Sequence, residues 1–231
     1  MTIEKGTPDI YNLLRKKFEL KNEVYINTYD VFQQFKSLMQ EMAEQYRSTY
    51  KKENLLIPFD FRDKSEFELE LKFGSDILIF MMHTNVFEFS RDHEVMKTPY
   101  IREQLNRSYC GVINIYNFLA DSFKYNRVND IGYLIGRVFV NREMHYFIEG
   151  KREIGMLYNN FATSVINRET AMLILESAIR YTVNFDLLTP PYDTVKEVSV
   201  LEMQTTLDNM KIQTGKRLGF KFQADKEETK Y

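Results

Sequence analysis

A chain of 231 residues, 44% hydrophobic and 28% charged, can bury a sizeable core as one large domain with a helical appendage. It contains no apolar run near the roughly 18 residues of a membrane span, and a formal net charge of -2 argues against a globally basic nucleic-acid surface. Residues 1–8 lack a basic stretch followed by an apolar core, and the single cysteine, Cys110, can form no intrachain disulfide; both point to a reducing, cytoplasmic setting and a soluble protein away from the membrane.

Thr7-Pro8-Asp9 opens the first expected helix, with a capping hydroxyl, proline at the first turn and an acid at the positive helix end. Ile10, Leu13, Leu14 and Phe18 follow at helical spacing, and this short helix is expected to end near Leu20. A second helix is expected from Tyr29 to Tyr50, where Val31, Phe32, Phe35, Leu38, Met39, Met42 and Tyr46 recur every three to four residues opposite a charged and amide face. Its stripe reads first as a face buried on the domain's own sheet, and second as a face for pairing with another copy of the chain.

Phe67, Leu69, Leu71 and Phe73 alternate with charged residues, which predicts a half-exposed antiparallel strand. After the Gly74-Ser75-Asp76 turn, residues 77–82 are continuously apolar and predict a strand covered on both faces; a third arm at Val86 to Phe89 would complete a meander. Thr98-Pro99 starts a short helix. A strand from Gly111 to Ala120 and a hairpin with arms Ile131 to Val140 and Met144 to Glu149 follow, with a strand extension at Ile154 to Tyr158. Asn167 opens another helix carrying Ala171, Leu175, Ala178 and Ile179 on one face, stopped by Pro190-Pro191. A final helix through Val200, Met203, Leu207 and Met210 and a strand at Leu218 to Phe222 close the expected elements.

This order predicts an α+β fold: an antiparallel sheet of about five to seven strands with helices packed mainly on one face. The expected division is an N-terminal helical segment (1–54) packed on a main domain (55–222), then a frayed charged tail (223–231).

Asp130 leads into an apolar strand, and after a turn a second strand ends in Glu149-Gly150-Lys151. This local pattern resembles that of restriction-endonuclease-like nucleases. The resemblance implies Mg²⁺ held by Asp130 and Glu149, with Lys151 as the cation at the reacting phosphate. A plainer and preferred reading makes the run from Glu149 to Glu153 a charged strand end facing water. His83 and His93 flank a hairpin that also carries Glu88 and Asp92, but neither they nor His145 show the spacing of a metal motif. Cys110, at a strand start, reads as a small buried hydrophobe rather than a nucleophile. Glycine-rich phosphate loops and nucleophile elbows are absent from the sequence.

Asn114, Tyr116, Asn117, Tyr125, Asn126 and Tyr133 form a cluster of amides and aromatics suited to lining a pocket or an interface, or simply to closing a sheet face. The leading expectation is therefore a non-catalytic binding module for a protein partner or small ligand, with no nucleic acid and no cofactor identified. A Mg²⁺-dependent nuclease and a structural homo-oligomer, paired through the Tyr29 to Tyr50 helix, are the alternatives.

Overall fold

In the computed structural model, which describes residues 7–50, 57–128, 130–150, 160–185, 191–201 and 203, the N-terminal part of the chain is one helix, α1 (Thr7–Tyr50). The two helices expected there are continuous. The residues between them include neither glycine nor proline, and Leu20, Val24 and Thr28 keep the spacing of the stripe. Thr28 tolerates full burial because its hydroxyl donates to the Val24 carbonyl at 2.7 Å.

Seven strands follow in a single antiparallel sheet: β1 (Phe59–Ser65), β2 (Glu68–Phe73), β3 (Asp76–Met82), β4 (Phe87–Glu88), β5 (Tyr109–Leu119), β6 (Tyr133–Asn141) and β7 (Tyr146–Gly150). Their spatial order is β1-β2-β3-β5-β6-β7, and β4 pairs with β5 through Phe87↔Cys110 and Glu88↔Tyr109. The third arm of the expected meander thus lies on β5 rather than folding back on β3, whose two edges are already taken by β2 and β5. The sequence reading also omitted β1, although Phe59 and Phe61 alternate with Asp60 and Arg62 there and pair with Phe73 and Leu71.

Helices α2 (Pro99–Glu103), α3 (Ala120–Lys124), α4 (Arg168–Val183) and α5 (Tyr192–Val195) complete the α+β architecture. Asn167 caps α4, its side chain accepting from the Thr170 N–H at 2.9 Å while the Thr170 hydroxyl accepts from the Asn167 N–H at 2.7 Å. The extension at 154–158, the later part of the last helix and the strand at 218–222 lie outside the described residues.

One face of the sheet is buried under α1 and α4. Val31, Phe32, Phe35, Leu38 and Met39 of α1, with Ile174, Leu175 and Ala178 of α4, cover Leu71, Leu78, Phe80, Ile113, Ile115, Val138 and Ile148. Each such large side chain contributes about 1.5–3 kcal/mol on burial. The stripe at 29–50 is consequently occupied within the chain's own core. On the opposite face, a smaller cluster of Tyr100, Ile101, Cys110, Val112, Phe139, Phe147 and Phe161 tucks under α2 and its neighbouring segments.

The turn between β6 and β7 is clasped to α2. Asn141 Oδ1 accepts the N–H groups of Glu143 and His145 at 2.9 and 3.0 Å, while its amide donates to the Tyr100 hydroxyl at 2.9 Å. That hydroxyl in turn donates to Glu143 at 2.8 Å. Burial, reinforced by the adjacent Glu143 carboxylate, pushes Tyr100 up to about 12, so it remains a donor at neutral pH.

α1 comes tightly against the sheet at Gly111 on β5, where an added Cβ would lie 2.1 Å from Thr28 Oγ1. Gly111→Ala is therefore expected to destabilise the protein by about 1–3 kcal/mol, and Thr28→Ala in the same chain should recover part of that loss. Urea titration of the two single variants and the double reads the coupling; strictly additive effects would place the contact elsewhere.

Candidate functional site

Strand register assembles a site on the face of the sheet away from α1. Alternation along each strand sends Val112, Asn114 and Tyr116 of β5, Arg137 and Phe139 of β6, and Phe147 and Glu149 of β7 to this side. Cross-strand pairing then aligns Val112, Phe139 and Phe147 in one row, and Met81, Asn114, Arg137 and Glu149 in the next. The aromatic row is floor and the second row is polar. From β4 onward the chain runs along one side, bringing Phe87, Glu88, Phe89, Ser90 and His93 alongside to border a half-open cavity of about 350 Å³ that His83 also lines.

The apolar part of the cavity is built from packed rings. Phe89 packs on Phe139 and Phe147 with centroid separations of 5.0 and 5.4 Å, and the latter two rings stack at 4.7 Å. Cys110 lies in the same cluster, where burial pushes its thiol well above the ordinary range. A thiol so placed is a poor nucleophile.

The polar groups are positioned by hydrogen bonds that also decide their protonation. His93 Nδ1 accepts the Val95 N–H at 3.2 Å, which assigns the ring proton to Nε2, and Nε2 donates to Glu149 Oε1 at 3.0 Å. Arg137 donates to the other oxygen of Glu149 and holds its guanidinium 5.4 Å from the Phe139 centroid. Burial works against ionising Glu149, but the hydrogen bonds from His93 and Arg137 prevail and keep its carboxyl below the usual range. With both nitrogens engaged, His93 has none to offer as a base.

His83 is oriented the same way. Its Nδ1 accepts the Asn85 N–H at 3.0 Å and its ring meets Phe87 edge-on at 4.7 Å, so Nε2 carries a proton that is left as a donor. Asn114 is half-buried in the cavity lining, and its carboxamide makes no hydrogen bond among the described residues. Glu88, by contrast, accepts from the Tyr109 hydroxyl at 2.6 Å.

The residues singled out from the sequence separate in space. Asn114, Glu149, His83 and His93 share the cavity. Tyr116 packs with Ile77, Ile79 and Ala120 further along the same face, whereas Asn117 is buried and Tyr133 packs against the main core. Tyr125 is exposed just after α3, beside Asn126 with its positive φ of 48°.

Asp130 belongs to a different cluster from Glu149: it accepts from Ser122 of α3 at 2.7 Å and has the Arg127 guanidinium 3.8 Å away. Glu149 sits opposite Arg137, four residues into β6, on the order of 13 Å along the strand from its start at Tyr133. Lys151 lies outside the described residues. His145 stacks on Tyr100 at 5.0 Å and donates from Nδ1 to the Phe161 carbonyl at 3.0 Å, a clasp rather than a site. Among the described residues, no three His, Cys, Asp or Glu side chains are grouped to hold a metal ion. No family model, curated protein or solved structure matches this chain.

Because Glu149 titrates below its ordinary value in the folded chain, its ion pairs stabilise fully above the ordinary glutamate range. That contribution is lost as pH falls through the depressed value. Wild type is expected to exceed Glu149→Gln in thermal midpoint at neutral pH and to converge on it in acid. Parallel midpoint curves across the whole pH range would remove this role for the carboxylate.

Proposed function

We propose that the protein is a non-catalytic binding module that holds a small planar molecule with a hydrogen-bond-accepting edge in the cavity between β4 and β5–β7. The observation that carries this reading is the pairing of a phenylalanine-lined cavity of about 350 Å³ with the unengaged Asn114 carboxamide and the Nε2 donor of His83. Flat apolar walls favour a ring, and two donors on the rim orient it. The size suits a one- or two-ring compound, since ligand sites start near 300 Å³.

The non-catalytic part of the proposal is supported by how the reactive groups are occupied. His93 has both nitrogens bonded, the Glu149 carboxylate is held by donors from His93 and Arg137, and the Cys110 thiol is buried. A cytoplasmic setting fits a single cysteine kept as a buried thiol. The separation of Asp130 from Glu149 gives the nuclease reading no support from the geometry, so it is not carried further.

Saturation-transfer NMR with benzoate, benzamide and aniline as probes tests the proposal. Benzoate and benzamide, which present acceptors, are expected to receive saturation more strongly than aniline, and Asn114→Leu with His83→Leu should lower both signals several-fold while the thermal midpoint stays within a few degrees. Equal transfer to all three probes, or unchanged transfer in the double variant, would overturn it.

A further inference from the structure

The amide in the cavity lining has two sides. A carboxamide presents a donor, Nδ2, and an acceptor, Oδ1, next to one another, and at Asn114 neither has a hydrogen-bond partner among the described residues. Its neighbours in the row explain why. Met81, opposite it on β3, offers only a thioether. Arg137, opposite it on β6, reaches the other way, to Glu149 on β7 and over the Phe139 ring. Both halves of the amide are thus left to the cavity. Val112, two residues and about 7 Å along β5, belongs to the row that forms the floor, and its carbonyl accepts the His83 N–H at 2.9 Å. The His83 Nε2 donor and the Asn114 amide therefore flank the same stretch of floor.

Charge narrows the choice of occupant. The described lining holds two carboxylates, Glu88 and Glu149, and one guanidinium, Arg137. That guanidinium already answers Glu149. A carboxylate brought in beside Asn114 would accept from Nδ2, but it would set its own charge among these acids and its second oxygen against Oδ1. A neutral ring that carries both an acceptor and a donor on one edge meets neither objection.

We propose, resting on the cavity reading above, that the occupant is a ring of the cyclic-amide class, with a ring N–H next to a ring carbonyl, the edge shared by pyridones, pyrimidinones and purinones. Asn114 is its specificity-determining residue. Nδ2 donates to the carbonyl, Oδ1 accepts the N–H, and the two parallel bonds fix the ring's orientation within its own plane. A site built this way rejects a ring that leaves either half of the amide unpaired.

2-Pyridone and 4-pyridone test this, being the same atoms with the N–H and the carbonyl adjacent in one and at opposite ends of the ring in the other. In saturation-transfer titrations against the full chain, 2-pyridone is expected to bind several-fold more tightly than 4-pyridone. Asn114→Leu and, as an independent replacement, Asn114→Val should each bring the two isomers together while the thermal midpoint stays within a few degrees. Equal binding of the isomers to wild type, or a preference that survives either replacement, would overturn the proposal. Benzamide separates this assignment from the reading beneath it. If benzamide binds and the isomers are not distinguished, only the cyclic-amide class falls; if benzamide and both pyridones fail to bind, the cavity reading falls with it.

Discussion

The structure depends on the seating of one long helix across the middle strands of the sheet. At its centre Phe35 meets Phe80 with ring centroids 5.0 Å apart, and one turn before the stripe's main run Thr28 rests on Gly111 so closely that no side chain fits beneath it. That contact fixes both the height and the rotation of α1. Rotation matters most, because the stripe is continuous. Once Thr28 and Phe35 point into the sheet, every residue in phase with them does too, including those beyond the sheet's end.

Covering one face so completely leaves the other to short elements. Among the described residues, α2, the single-turn helices at Glu94–Lys97 and Leu105–Ser108 and the β4 arm pack over one end of it. Where their cover stops, the second row across the strands carries Asn114, Arg137 and Glu149 instead of apolar side chains. Charged groups in that position need partners. His93 and Arg137 supply them to Glu149, and the same His93, through its Nδ1, anchors the single turn that follows the arm. The cavity is therefore held open by the contacts that satisfy its own polar wall.

The fold class was legible in the sequence because the longest signals were periodic: the 29–50 stripe, the alternation in β2 and the apolar run of β3 each give one answer under simple geometry. Errors arose where the signal was polar. Thr28 and the polar residues Lys21, Asn22, Glu23 and Asn27 interrupt the run of large apolar residues, so a single helix read as two, although a threonine that bonds back to its own helix is at ease in a core. Half of the candidate site was visible as well: Asn114, Glu149 and the two histidines were all noticed, but as members of three separate groups. Joining them needed the register of β5, β6 and β7, which depends on the Asn141 turn and on a shift between Ile115 and Tyr116. Arg137 and Phe139 went unnoticed for the same reason. Alternation places them on the outer face, yet only the register sets Arg137 opposite Glu149.

The exposed N-terminal turns of α1 and the cavity are two places where the chain departs from what its core requires. Within α1, a helix already nucleated by its packed half can extend at little cost, so polar residues would have sufficed from Asp9 to Glu19; the chain instead carries Ile10, Leu13 and Leu14 there, in phase with the buried stripe. Within the sheet, an apolar residue at position 114 would have closed the outer face against Phe139 and Val112; the chain instead carries an amide with no hydrogen-bond partner among the described residues. Exposed apolar groups in phase and a half-buried amide without a bond are each unfavourable in an isolated chain. They meet at Tyr109, whose hydroxyl is bonded by Lys17 and donates to Glu88 of the cavity lining, but they differ in origin, the exposed stripe following from the azimuth of α1 and the cavity from strand register. Either can therefore be emptied by substitution while the other is retained.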